Sequence, residues 1–151
     1  MKRRFQMSMT ASARRIGETL KHEVDVNGRH IVLTDEPTHL GGTDEGPAPH
    51  ELLPATLAAC ISTMIAMYAQ NRGWKIGETA VDVSYDPDSV PRRFTIDLKL
   101  PDSLTAEQYR RLERVAATCP VRRALEAGFT FEERIAPGLP SSFGLTPVPA
   151  H

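Results

Sequence analysis

The sequence predicts an α+β protein whose strands pair mainly antiparallel, and three observations carry that prediction. Apolar and polar residues alternate in short runs before residue 36 and again between residues 81 and 100. An uncharged run over 52–69 is too long for a strand and reads as a helix. The predicted order, β-β-β-α-β-β-α-α-β, puts few strands in the strand-helix-strand alternation of parallel sheets, so hairpins dominate.

Residues 1–36 read as β. Val24 and Val26 alternate with Glu23 and Asp25, Asn27-Gly28 supplies a type I′ hairpin turn, and Ile31-Val32-Leu33 continues the pattern. Residues 37–49 form a loop with three glycines and three prolines. It is no phosphate cradle, because it lacks the Gly-Lys-Ser/Thr ending and carries Asp44 and Glu45. A helix is expected over 50–71, closed by Gly73, with Pro54 tolerable in the first turn or at a kink. Val81, Val83 and Tyr85 mark one strand, and Phe94, Ile96, Leu98 and Leu100 mark the next. A second helix opens at Ser103 or Thr105, where Gln108 stands at capping-box spacing from Thr105. It runs to about Thr118. Pro120 interrupts it, a short helix over 121–127 ends at Gly128, and 129–135 reads as a last strand. Residues 1–135 are thus expected to form a single domain, with 136–151 as a proline-rich, loosely draped tail.

The charge balance, 18 basic against 19 acidic residues, gives no electrostatic case for nucleic acid or an anionic membrane as a main partner. Lys2-Arg3-Arg4 leads into polar residues, so no secretory signal is expected and the cluster reads as a solvated terminus. Two cysteines are too few for a secreted disulfide scaffold, which points to a reducing cytoplasm and to a transient rather than structural disulfide. The uncharged run contains Pro54, Thr56, Ser62 and Thr63 and much alanine, a weak composition for a membrane span. A helix apolar on every side needs protein all around it, from its own sheet or from a second subunit. No metal is expected: His50-Glu51 lacks a second histidine four residues on, and neither cysteine has a neighbour at ligand spacing.

Cys60 falls in the series Leu53, Leu57, Cys60, Met64, Met67, and Cys119 in the series Leu112, Ala116, Cys119. Each cysteine therefore lies on an apolar helical stripe, where plain packing is the commoner role for a free cysteine. If the two stripes face one another the sulfurs come close. The spacing alone does not decide it.

The flanking residues add a resemblance. The segment GGTDEGPAPHELL over 41–53, leading into Leu57-Ala58-Ala59-Cys60, resembles the first signature of the OsmC/Ohr family of thiol-dependent peroxidases. Cys119-Pro120-Val121 followed by Leu125-Glu126-Ala127-Gly128 resembles the second, and the likeness extends over about residues 22–135. It implies an intertwined homodimer with antiparallel sheets wrapped around central cysteine-bearing helices. It also implies Cys60 as the peroxidatic thiol, Cys119 as the resolving one, and Glu51 as the glutamate that holds an arginine against the reactive sulfur.

That arginine would come from the N-terminal hairpin, as Arg14, Arg15 or Arg29, with Arg15 first by its position before the turn. Glu51 and Cys60 would face opposite sides of a regular helix, so this arrangement needs Glu51 to precede the helix proper. Pro54, where the family usually carries leucine, makes a late helix start plausible. The implied substrate is a hydroperoxide, favoured as an organic one by apolar walls at Leu57, Met64, Met67 and Phe129. The implied reductant is a dithiol, often lipoyl-bearing, with no bound cofactor. Thr34-Asp35-Glu36-Pro37 resembles the broad OsmC-like branch more than the dedicated hydroperoxide branch, which keeps a redox sensor or small-molecule binding module open as the alternative.

Overall fold

The computed structural model describes residues 9–135, and the segment read as a tail lies outside them. Strands β1 (Ala11–Arg15), β2 (His22–Val26) and β3 (His30–Thr34) form an antiparallel sheet in the order β1-β2-β3. The β2–β3 turn is the one the Asn-Gly pair predicts. Asn27 and Gly28 both take left-handed backbone, at φ 57° and 66°, and the Arg29 N–H closes the turn on the Val26 carbonyl at 3.2 Å. All of β1 is exposed and all of β2 half-buried, so this sheet has no fully covered face.

The loop after β3 folds back tightly on itself. A Cβ at Gly42 would lie 1.7 Å from the Glu36 carbonyl oxygen, so only glycine fits there. The loop ends in a 3-10 turn, Pro49–Glu51, that leads into helix α1 (Leu52–Asn71). Pro54 lies in the first turn of α1, where its missing N–H leaves no intrahelical bond unmade. By length and composition the stretch Pro49–Asn71 is apolar enough to cross a membrane, with a mean hydropathy of 1.7.

Its buried positions are Leu57, Ile61, Ile65 and Ala69, joined in one core by Ile76, Leu112, Ala116 and Cys119. This differs from the predicted stripe. Leu53 is 38% and Met67 53% exposed, and of that series only Leu57 is fully buried. A helix apolar on every side carries no moment to choose its inner face, so its packing partners choose it.

Those partners are an antiparallel hairpin and a second helix. In β4 (Ala80–Asp86) and β5 (Arg93–Lys99) the apolar residues stand opposite one another as Val81–Leu98, Val83–Ile96 and Tyr85–Phe94. These pairs give the sheet one apolar face, and they pack against the core. Helix α2 (Ala106–Ala117) opens on the predicted capping box. The Gln108 N–H donates to Thr105 Oγ1 at 3.2 Å, and the Thr105 N–H to Gln108 Oε1 at 2.8 Å. Helix α3 (Pro120–Ala127) follows, and Pro120 starts it rather than merely interrupting its predecessor.

Residues 129–135 do not form the expected strand. Phe129, Phe131 and Ile135 are 62%, 84% and 102% exposed, and the segment pairs with no strand among the described residues. The apolar pattern records side chains suited to a strand, but it does not supply a free edge for them to join.

Candidate active site

Helix α1 carries Cys60 on its half-buried side, and the α2–α3 junction carries Cys119, which is fully buried. Cys119 is not on α2, as its spacing from Leu112 and Ala116 suggested. It is the residue that caps α3, its N–H donating to the Ala116 carbonyl at 3.3 Å and its carbonyl accepting from the Arg123 N–H at 3.0 Å. The packing of α1 against α2 and α3 sets Cys60 against the core cluster that holds Cys119, close enough for Cys119 to act on its titration, and both thiols are free.

Three influences act on the Cys60 sulfur. Burial, the largest, pushes its pKa above the ordinary thiol value, and Cys119 pushes the same way. The Val121 backbone N–H, in the first turn of α3, opposes them. It presents a donor, backed by the positive end of a helix dipole, to any charge that develops on sulfur. Among the described residues no arginine is one of the groups that act on Cys60.

A cleft of about 680 Å³ has an apolar wall that includes Leu53, Leu57, Tyr85, Phe94, Leu125 and Phe129, and neither cysteine lines it. Leu57 is one turn before Cys60. Of the apolar residues expected to form a wall, Leu57 and Phe129 line the cleft and Met64 and Met67 do not. Arg92, Arg122 and Glu126 supply its charged part, Arg122 donating to Glu126 at 2.9 Å.

Glu51 precedes the helix proper, as its predicted role needs, and sits in the 3-10 turn. There its Oε2 accepts the Ala48 N–H at 2.9 Å, and it makes no ion pair among the described residues. The three candidate arginines belong to the N-terminal sheet and its turn. Arg15 donates to the Thr19 carbonyl at 2.6 Å, Arg14 pairs with Glu23 at 2.6 Å, and Arg29 is exposed after the turn. Among the described residues no hydrogen bond or ion pair links Glu51 or these arginines to either cysteine.

One organising residue escaped the sequence reading. Asp35 is 1% exposed and its carboxylate accepts four hydrogen bonds: the Glu36 N–H at 2.8 Å, the Thr43 N–H at 3.0 Å, the Thr43 hydroxyl at 2.7 Å and the Glu45 N–H at 3.2 Å. The Thr43 hydroxyl does most to hold its pKa down, at about 2. The Asp35 N–H also reaches the Pro47 carbonyl at 3.2 Å, so this one residue pins the loop that delivers Glu51. Its signal was a glycine pair and a threonine shortly downstream, which reads in sequence only as a loop. Among the described residues no group of three or more histidine, cysteine, aspartate or glutamate side chains is placed to hold a metal ion.

Comparison with known proteins agrees with this architecture. No curated protein matches the chain. Among solved structures, a Psychrobacter arcticus protein provisionally assigned to osmotic stress and detoxification response aligns at 26% identity. That alignment has a TM-score of 0.63 and covers 80% of this chain and 90% of that one. An OsmC-like protein from Mycoplasma pneumoniae has the same fold at 15% identity and a TM-score of 0.64, over 81% of this chain and 89% of that one. So does an organic hydroperoxide resistance protein from Legionella pneumophila, at 22% identity and a TM-score of 0.53, over 80% and 90% respectively. The sequence model of the OsmC-like proteins matches residues 42–134, which span α1, both cysteines and everything between them. The chain belongs to the OsmC-like protein family.

Proposed function

We propose that this protein is a thiol-dependent peroxidase that reduces organic hydroperoxides, acting as a homodimer. The observation that carries this reading is the packing of Cys60 against the core that holds Cys119 at the start of α3, one helical turn from the Leu57 wall of an apolar cleft. The Cys60 thiolate attacks the terminal oxygen of the hydroperoxide and the O–O bond breaks. The alkoxide takes a proton and leaves as the alcohol, and Cys60 becomes a sulfenic acid. The Cys119 sulfur then displaces the sulfenic oxygen, which leaves as water once protonated, and a Cys60–Cys119 disulfide forms. An external dithiol of the lipoyl type reduces it by exchange and is itself oxidised to a disulfide.

The thiolate needs a positive charge, and none acts on it among the described residues of one chain. In the dimer this charge is Arg15 of the partner subunit, oriented by Glu51. The open faces of the N-terminal sheet and the exposed apolar residues of 129–135 support such an assembly.

A second reading is favoured by one specific observation, the raised pKa of Cys60. A scarce thiolate suits a thiol that oxidises but turns over poorly, as in a redox sensor. Titration of the reduced protein with cumene hydroperoxide, following free thiols and turnover with a dithiol, separates the two. Rapid loss of both thiols, sustained turnover and its abolition by Cys60→Ser are expected of the peroxidase. Oxidation without turnover supports the sensor, and two thiols intact at excess peroxide overturn both.

A further inference from the structure

Two turns beyond Cys60, on the same stripe of α1, lies Tyr68, about 12 Å along the helix. Three guanidinium groups gather near it. Arg111 and Arg114 of α2 line with Tyr68 a small cavity of about 230 Å³, and Arg72 stands over the Tyr68 ring at 5.3 Å. The cavity is closed by Val115 and by Thr118, the residue before Cys119. One carboxylate faces this group: Glu107 accepts from Arg111 Nη2 at 2.7 Å and Nε at 2.9 Å. Arg72 and Arg114 make no ion pair among the described residues. The surplus of positive charge already acts on Tyr68, whose phenol pKa is lowered, first by Arg111 and then by the charge of Arg72.

We propose that this pocket between α1 and α2 binds the carboxylate of a small organic acid. Guanidinium groups bind planar oxyanions through paired hydrogen bonds, and a tyrosine hydroxyl adds a further donor.

Trp74, the single tryptophan, packs edge-on against Tyr68 at 5.7 Å and reports on the pocket directly. The test is a fluorescence titration of the full chain with octanoate, acetate and inorganic phosphate at constant ionic strength. Octanoate carries neither a thiol nor a peroxide, so its binding is independent of turnover. A saturable change is expected with octanoate and, more weakly, with acetate. Arg114→Gln should raise the octanoate midpoint about tenfold and leave cumene hydroperoxide turnover unchanged, and Arg72→Gln serves as a second variant should the first fail to fold. No saturable change, or a midpoint unmoved in the folded variant, overturns the site. Phosphate saturating below octanoate overturns the carboxylate assignment.

Discussion

At Asp35 one carboxylate accepts four hydrogen bonds from three residues that follow it in the chain. Its folded pKa of about 2 lies below the roughly 3.9 of an unfolded aspartate. The stability it contributes is therefore fully present above about pH 4 and is lost as pH falls toward 2. Asparagine cannot reproduce the arrangement, because its amide would set a donor against the Thr43 and Glu45 donors or give up one oxygen by flipping. Asp35→Asn should lower Tm by on the order of 5 °C at pH 7. It should also flatten the loss of Tm between about pH 4 and 2, and a series of melts across that range checks both. Cys119 offers a second test at this scale. Without it a sulfenic acid at Cys60 has no thiol beside it, so Cys119→Ala without added reductant should form the sulfenic acid with one equivalent of peroxide and sulfinic acid with a second, both detectable by mass spectrometry. The wild-type chain should stop at the disulfide. The residues behind these two predictions differed in legibility. Both cysteines stood out in the sequence by their flanking signatures, whereas Asp35 acts through backbone donors that no residue pattern displays.

Local chemistry fixed the helix ends, and packing fixed the helix faces. The Thr105–Gln108 box and Asn27-Gly28 were readable because each depends on residues within one turn of itself. Thr105→Ala removes the side-chain half of that box and should cost about 1 kcal/mol, a fall in Tm of roughly 2–4 °C, measurable by denaturant or thermal unfolding. The inner face of α1 was not readable, since its apolar residues surround the axis and β4, β5 and α2 select Leu57, Ile61, Ile65 and Ala69. Cys119 was misplaced by one element for a related reason: the spacing from Leu112 continues unbroken through the place where α2 stops and α3 starts. The turn still carries Cys119 into the core, so the predicted approach of the thiols survives the error. It also adds what spacing could not give, the Val121 N–H at the Cys60 sulfur.

Taken whole, one chain leaves apolar residues in positions that a single copy does not cover. Leu53 and Met67 on α1, Phe129 and Phe131 after α3, and both faces of the β1–β3 sheet stay open to solvent in varying degree. Burying such area is the main drive to association. A twofold assembly would cover the same patches on both copies at once. Light scattering on the eluted protein should therefore give twice the chain mass. A sharper test asks whether the partner completes the site. Arg15→Ala should raise the pH midpoint of Cys60 alkylation by about one unit or more, because a nearby cation favours the thiolate. If the arginine acts across the interface, equal amounts of Arg15→Ala and Cys60→Ser chains, each inactive alone, should regain activity after subunit exchange. Half of the randomly paired dimers then combine the two variants, and each holds one intact site of two, so activity should return to about a quarter of wild type. An arginine acting within its own chain would restore nothing, since no chain in the mixture carries both Arg15 and Cys60.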